Sequence, residues 1–226
     1  MNGSEALQPT PPTGAPSDGR RAKRERSRDA ALTEAVQIAS VEGLEGLTIA
    51  RLAERLGTVK SSVHAAFGSK QALQLAALQR TREMLIELVV APALDARPGL
   101  ARLVALGESW FAYLADDVFE GGCLLCSASA EMDGRPGPVR DAVAGIMREW
   151  LQFLADNVQT GIDEDEFDPT SDPTQIAFEL NAIGMAANWH HQLIGGPTAF
   201  AAARTAWAGA IQRHRPPRNH TGKDRR

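Results

Sequence analysis

The chain has 226 residues, of which 43% are hydrophobic, 23% charged and 5% aromatic, and its formal net charge is -4. That composition and length suit a globular chain that buries its own core, and they exclude collagen-like, wholly disordered and disulfide-framework classes. Two cysteines, no apolar run of membrane-spanning length and a polar, Pro-rich start predict a cytoplasmic protein with no membrane partner and no secretory leader.

Charge is unevenly placed along the chain. Residues 1–80 carry a net +3, residues 81–210 a net -12 and residues 211–226 a net +5. A basic front end on an acidic body is the pattern of a chain whose front end alone meets a polyanion.

Residues 1–27 read as a disordered basic arm. Pro, Gly, Ser and Thr dominate residues 1–19, and Arg20, Arg21, Lys23, Arg24, Arg26 and Arg28 follow within nine positions. Such a run is a solvated flank, or it docks on DNA phosphates or in a minor groove. The chain then reads all-α, with no sustained strand alternation. Ala31, Leu32, Ala35, Val36, Ile38 and Ala39 form a helical face that ends at Gly43. Thr48 caps a short second helix with Ile49, Leu52, Ala53 and Leu56 inward, and Gly57 ends it. A third short helix places Val59, Val63 and Phe67 at i, i+4 and i+8. Ser69 caps a fourth helix of about 21 residues, stopped by Pro92.

Further helices follow. Pro98 sits at the expected first position of one that runs to Leu114. Gly121-Gly122 opens a short one through Cys123 to Glu131. A long helix carries Val139, Val143, Ile146, Met147, Trp150 and Leu154. The acidic run Asp163–Asp168 lacks the glycine and ligand spacing of a calcium loop. Asp172-Pro173-Thr174-Gln175 is a helix start, and the helix to Leu193 is apolar nearly all round, so it is expected to be buried on every side. The last helix carries Phe200, Ala203, Trp207 and Ile211 on one face. Residues 214–226 read as a disordered basic tail.

The informative stretch is Thr48 to Lys70. Two short helices joined by a Gly-containing turn have helix-turn-helix spacing, in which the second helix enters the major groove. Its outward set is Thr58, Lys60, Ser61, Ser62, His64 and Ala65, with no acidic residue and no bulky aliphatic. These residues are slim and most can hydrogen-bond, as a reading face requires.

At these positions the chain resembles the tetracycline-repressor (TetR) family. The match runs through Ala39, Gly43, Thr48, Ile49-Ala50, Gly57, Lys60-Ser61-Ser62, Phe67 and Lys70, about 45 residues in all. His64 stands where the family usually has Tyr, and Ala66 where it has a second aromatic or His. The resemblance implies an N-terminal three-helix DNA-binding domain over 28–70 and a larger helical ligand-binding and dimerisation domain over 71–213. It implies that Thr48 and Lys70 meet phosphates, that Lys60 and Ser61 face base edges, that Ser62 reaches phosphate or base, and that His64 donates to a phosphate. The expected partners are a pseudo-palindromic double-stranded DNA operator, a second copy of the chain and a small-molecule effector.

Trp110, Phe111, Tyr113, Trp150, Phe153, Met185 and Trp189 lie on three body helices. They read as core, or as the lining of an apolar effector cavity between helices. Cys123 and Cys126 share a helix face and read as core or pocket lining. A thiol-redox sensor or enzyme is the alternative, and a helical adaptor with a basic front end is a third class. A zinc site from these thiols and a histidine has no spacing support. His190 and His191 are adjacent and point to different faces. The dimer interface is expected at Ile183, Phe200, Ala203, Trp207 and Ile211. No catalytic constellation and no cofactor motif is present, so the expectation is a regulator rather than an enzyme.

Overall fold

The computed structural model describes residues 16–196 and 198–216, and these contain helices and no strands. The order is α1 (Pro16–Gly46), α2 (Ile49–Arg55), α3 (Lys60–Phe67), α4 (Lys70–Leu85), α5 (Ala91–Ala93), α6 (Leu100–Ala115), α7 (Leu124–Met132), α8 (Pro138–Asp163), α9 (Pro173–Trp189) and α10 (Ala199–Arg213). Single π-helical segments, Ile86–Val90 and His190–Ile194, extend α4 and α9.

The basic run is not an arm without structure. Helix α1 begins at Pro16 and carries the run on its own first turns. Pro suits the first helical position, and residues 20–26 are Ala, Arg, Lys and Glu, all strong helix formers. Residues 1–15 lie outside the described part, as do 217–226 of the expected tail. Gly43 interrupts α1 with φ 75 and ψ 168, so the last turn leaves the helix axis there. A residue with a Cβ resists that conformation.

Caps set the boundaries of the short helices. Thr48 Oγ1 accepts the Arg51 N–H at 3.1 Å, and Ser69 Oγ accepts the Ala72 N–H at 3.1 Å. Asp172 accepts the Thr174 N–H at 2.8 Å. Gly57 turns between α2 and α3 at φ 61. The α6 start differs from expectation. Gly99, not Pro98, precedes the helix, and the free Leu100 N–H is donated to Glu166 at 2.8 Å. That carboxylate, from the acidic run after α8, does the work of a local cap.

The body packs α8 against α9, α9 against α10 and α10 against α6, while α4 runs from the N-terminal unit against α8. An aromatic cluster holds the centre. Trp110 meets Trp150 edge-on at 5.1 Å and Trp207 at 6.3 Å, and Phe111 meets Trp207 at 5.7 Å. Two glycines make this approach possible. A Cβ on Gly184 would lie 2.2 Å from the Trp110 ring, and one on Gly107 would lie 2.7 Å from Trp207.

Candidate nucleic-acid interface and effector cavity

Helices α1, α2 and α3 share one core. Leu32, Ala35, Val36, Ala39, Leu52, Ala53, Val63 and Phe67 are all buried. Burying Val63 and Phe67 turns the opposite face of α3 outward. Lys60, Ser61, Ser62, His64 and Ala65 are all exposed on it, and Thr58 is exposed just before it. Val59, expected inward, is instead 64% exposed. It is the residue before the helix and has extended backbone (φ -87, ψ 146), so its side chain leaves the i, i+4 register of Val63 and Phe67.

Thr48 is half-buried at the start of α2. Its oxygen is engaged as the cap, which leaves the hydroxyl hydrogen to donate. Lys70 opens α4, and its Nζ lies 2.9 Å from Glu45 Oε2. That ammonium, by hydrogen bond and charge, holds the Glu45 carboxyl below its ordinary value. Arg51 pairs with Glu42 and Glu54, and Arg55 with Glu34 and Glu120. Among the described residues Lys60 has no such partner. The basic first turns of α1 lie beside α3: Lys23, Ser27 and Arg28 share a groove with Thr58, Ser62 and Phe67. The Arg28 guanidinium sits 5.2 Å over the Phe67 ring.

The connection from α6 to α7 grips α1. Gln37 donates from Nε2 to the Val118 carbonyl (2.9 Å) and accepts the Glu120 N–H (2.9 Å). Gly121 donates its N–H to Ser40 Oγ at 3.1 Å, and a Cβ there would collide with the Ser40 carbonyl. Further along α7, Glu131 accepts the Leu44 and Glu45 N–H groups, each at 2.8 Å. These are the donors that Gly43 frees by breaking the helix, so one carboxylate from the body caps the last turn of α1.

The other face of α7 lines a small cavity of about 20 Å³, bounded by Leu85, Trp110, Cys123, Leu125, Cys126, Met147, Trp150, Asn181 and Met185. Five of the nine expected lining residues meet there: Trp110, Cys123, Cys126, Trp150 and Met185. Four do not. Phe111 packs on Trp207, and Tyr113 packs on Phe119 at 5.8 Å. Phe153 is half-buried against the core, and Trp189 is 55% exposed. Trp189 is the last residue of α9, and its size does not bury it. Sequence reasoning passed over Leu85, Leu125, Met147 and Asn181. Asn181 carried a usable signal, a carboxamide in the middle of a largely apolar helix. Its Oδ1 and the Trp110 and Trp150 Nε1 groups are buried and meet no protein partner.

The expected dimer residues are also redistributed. Ala203, Trp207 and Ile211 are 6%, 4% and 5% exposed within their own chain, and Trp207 donates its Nε1–H to the Leu103 carbonyl at 3.1 Å. Gly107 admits the indole to the core, which removes this face from a partner's reach. Ile183 and Phe200 are half-buried.

Comparisons with known proteins agree with this architecture. Residues 31–77 match the family described as bacterial regulatory proteins, tetR family, and residues 99–207 match the tetracyclin repressor-like C-terminal domain. The chain belongs to the TetR family. It is therefore a DNA-binding transcriptional regulator with an N-terminal helix-turn-helix domain and a C-terminal helical domain. Among solved structures, a TetR regulator from Chloroflexus aurantiacus J-10-FL superposes with a TM-score of 0.79 at 23% identity, covering 85% of this chain and 98% of that one. A TetR-family regulator from Cytophaga hutchinsonii gives 0.77 at 22% identity, covering 87% and 98%. AibR, solved with isovaleryl coenzyme A and operator DNA, gives 0.65 at 17% identity, covering 84% and 98%. No curated protein matches the chain. As a TetR regulator, the chain is of a kind generally without enzymatic activity.

Proposed function

We propose that this TetR regulator is a ligand-responsive repressor that binds a pseudo-palindromic operator as a homodimer and is released by a small, largely apolar molecule. The carrying observation is the double role of α7. One side of it lines the internal cavity, and Glu131 on it caps α1 of the DNA-binding unit. A molecule that enlarges the cavity pushes on the helix that holds α1. It shifts the equilibrium only by its difference in affinity between the two arrangements. At about 20 Å³ the cavity holds one water-sized molecule, so an effector binds an opened arrangement.

In the DNA complex, Lys60 and Ser61 read base edges, while Thr48, Ser62, His64 and Lys70 contact phosphates. The basic first turns of α1 add phosphate contacts beside α3. The dimer face we propose is the exposed apolar stripe of α9 and its extension. Phe178 is 62% exposed, Trp189 55% and Leu193 70%. Two such faces, with the small exposed residues Ala202 and Ala206 of α10, form a four-helix interface. The twofold axis then sets two α3 helices about one DNA turn, roughly 34–36 Å, apart. This reading places the protein in the cytoplasm.

The test is selection of sheared genomic DNA by the purified protein at near-physiological salt, followed by sequencing. One or a few enriched palindromic sites support the reading, and their neighbouring genes nominate effectors. Retention without an enriched sequence, or no retention, removes operator recognition by the free protein.

A further inference from the structure

Cys123 and Cys126 are arranged for chemistry rather than for filling space. Cys123 is the residue just before α7 (φ -62, ψ 112), and Cys126 stands at the third position of the helix. Both are free thiols and both are buried. The Cys126 thiol, the Tyr113 hydroxyl and the N–H groups of Cys126 and Leu125 surround the Cys123 sulfur electrostatically, and the Cys126 N–H also bonds the Cys123 carbonyl at 3.0 Å. The Cys126 hydrogen bond contributes most, and together the donors outweigh burial and hold the Cys123 thiol below its ordinary value. The same bond, with burial, pushes Cys126 up. Cys123 is thus the more acidic of the two thiols. Tyr113, otherwise packed among apolar groups, turns its hydroxyl to that sulfur.

Both cysteines line the internal cavity. At about 20 Å³ it holds one water-sized molecule, which favours the smallest peroxide over bulkier oxidants. Among the described residues no cluster of three or more His, Cys, Asp and Glu forms a metal-ligand set.

We propose that Cys123 and Cys126 are a modification site, a peroxide-oxidised dithiol whose disulfide alters how α7 holds the DNA-binding unit. The Cys123 thiolate attacks one oxygen of hydrogen peroxide. An S–O bond forms and the O–O bond breaks, leaving a sulfenic acid and hydroxide, which takes up a proton. The Cys126 sulfur then attacks Cys123. The S–S bond forms, the S–O bond breaks, and the hydroxide leaves as water with the Cys126 proton. In sum two thiols lose two protons and two electrons, and one peroxide becomes two waters.

The mechanical link is on the same segment. The Cys123 N–H is donated to Asn188 Oδ1 at 2.9 Å, which ties it to α9. Glu120 and Gly121, just before it, are bonded to Gln37 and Ser40 of α1. A disulfide removes the acceptor on which Tyr113 and the first turn of α7 converge, so this turn repacks beneath the α1 contacts.

The experiment uses the full-length reduced protein and hydrogen peroxide, with alkylation in denaturant and intact mass as readout. We expect loss of both alkylatable thiols, recovery with dithiothreitol and quenching of emission from Trp110 and Trp150, which border the same cavity. Cys126→Ser should stop at a sulfenic acid on Cys123 that dimedone traps. Tyr113→Phe, which keeps the ring, should slow the wild-type reaction. Two thiols still alkylatable after peroxide, or disulfides only between chains, overturn the site. The link to DNA rests on the regulator reading and is measured separately, on fragments selected by the reduced protein. A disulfide that leaves their retention unchanged overturns the link alone. Failure to select any fragment counts against the repressor reading and leaves the thiol result standing.

Discussion

Lys60 and Lys70 are two of only four lysines in the chain, and their surroundings differ. Lys60 projects from the outer face of α3 with no carboxylate partner among the described residues, whereas Lys70 is held by Glu45. Lys60→Ala should therefore weaken binding to the selected site by about 1–3 kcal/mol and relax its preference over random DNA. Lys70→Ala should weaken both alike and reduce the salt slope by about 1, as loss of a phosphate contact does. Fluorescence anisotropy on selected and scrambled duplexes over a salt series separates the two. Equal losses on both duplexes for Lys60→Ala would remove its base-reading role. Val59 gives a contrasting case. It is apolar and one helical step from Val63, yet solvent surrounds it. Val59→Ser should change stability by no more than about 0.5 kcal/mol in urea unfolding. A larger loss would return it to the core.

Among the elements, α1 and α10 carry the largest lessons. Helix α1 ends on a carboxylate supplied from α7, 86 and 87 residues away in sequence. Glu131→Gln should cost about 1–3 kcal/mol, since hydrogen bonds to a charged acceptor are the stronger kind. Faster hydrogen exchange at the Leu44 and Glu45 amides, with slower-exchanging body amides unchanged, is the expected signature. Unchanged exchange at both would mean that Glu131 does not hold α1. On α10, Trp207 is a core residue with a satisfied N–H, so Trp207→Ala should cost about 3–5 kcal/mol and lower the urea midpoint. If Trp207→Ala instead produced a well-folded monomer from a dimer, Trp207 would belong to the interface after all.

At the scale of the whole molecule the acidic body packs against the front end, yet the outer face of α3 stays free of it. Arg51, Arg55 and Lys70 are paired to carboxylates, and α3 presents no acidic side chain. DNA is thereby offered one face. The dimer prediction belongs here. Phe178→Glu combined with Trp189→Glu places charge on the exposed stripe of α9 while touching no buried residue. Sedimentation should then show a monomer of unchanged helix content, with operator binding lost because two half-sites no longer share one body. A dimer that persists would move the interface elsewhere.

Local physics made much of this legible in sequence. Capping side chains at Thr48, Ser69 and Asp172, the positive-φ glycine at Gly57, and the pairing of buried Val63 and Phe67 with an outward face of small hydrogen-bonding groups are all set by neighbours within a few positions. So the all-α class, the helix-turn-helix and its exposed face followed from residue order alone. Periodicity says which face of a helix is apolar, but not what covers it. Trp207 and Trp189 are equally large and apolar. One is buried because Gly107 opens space for it on a neighbouring helix, and the other stays 55% exposed among the described residues. The cap on α1 from Glu131, the convergence of Tyr113 on Cys123 and the cavity beside both thiols likewise join residues far apart in the chain. Only tertiary packing brings such groups together, because no local interaction encodes their distance.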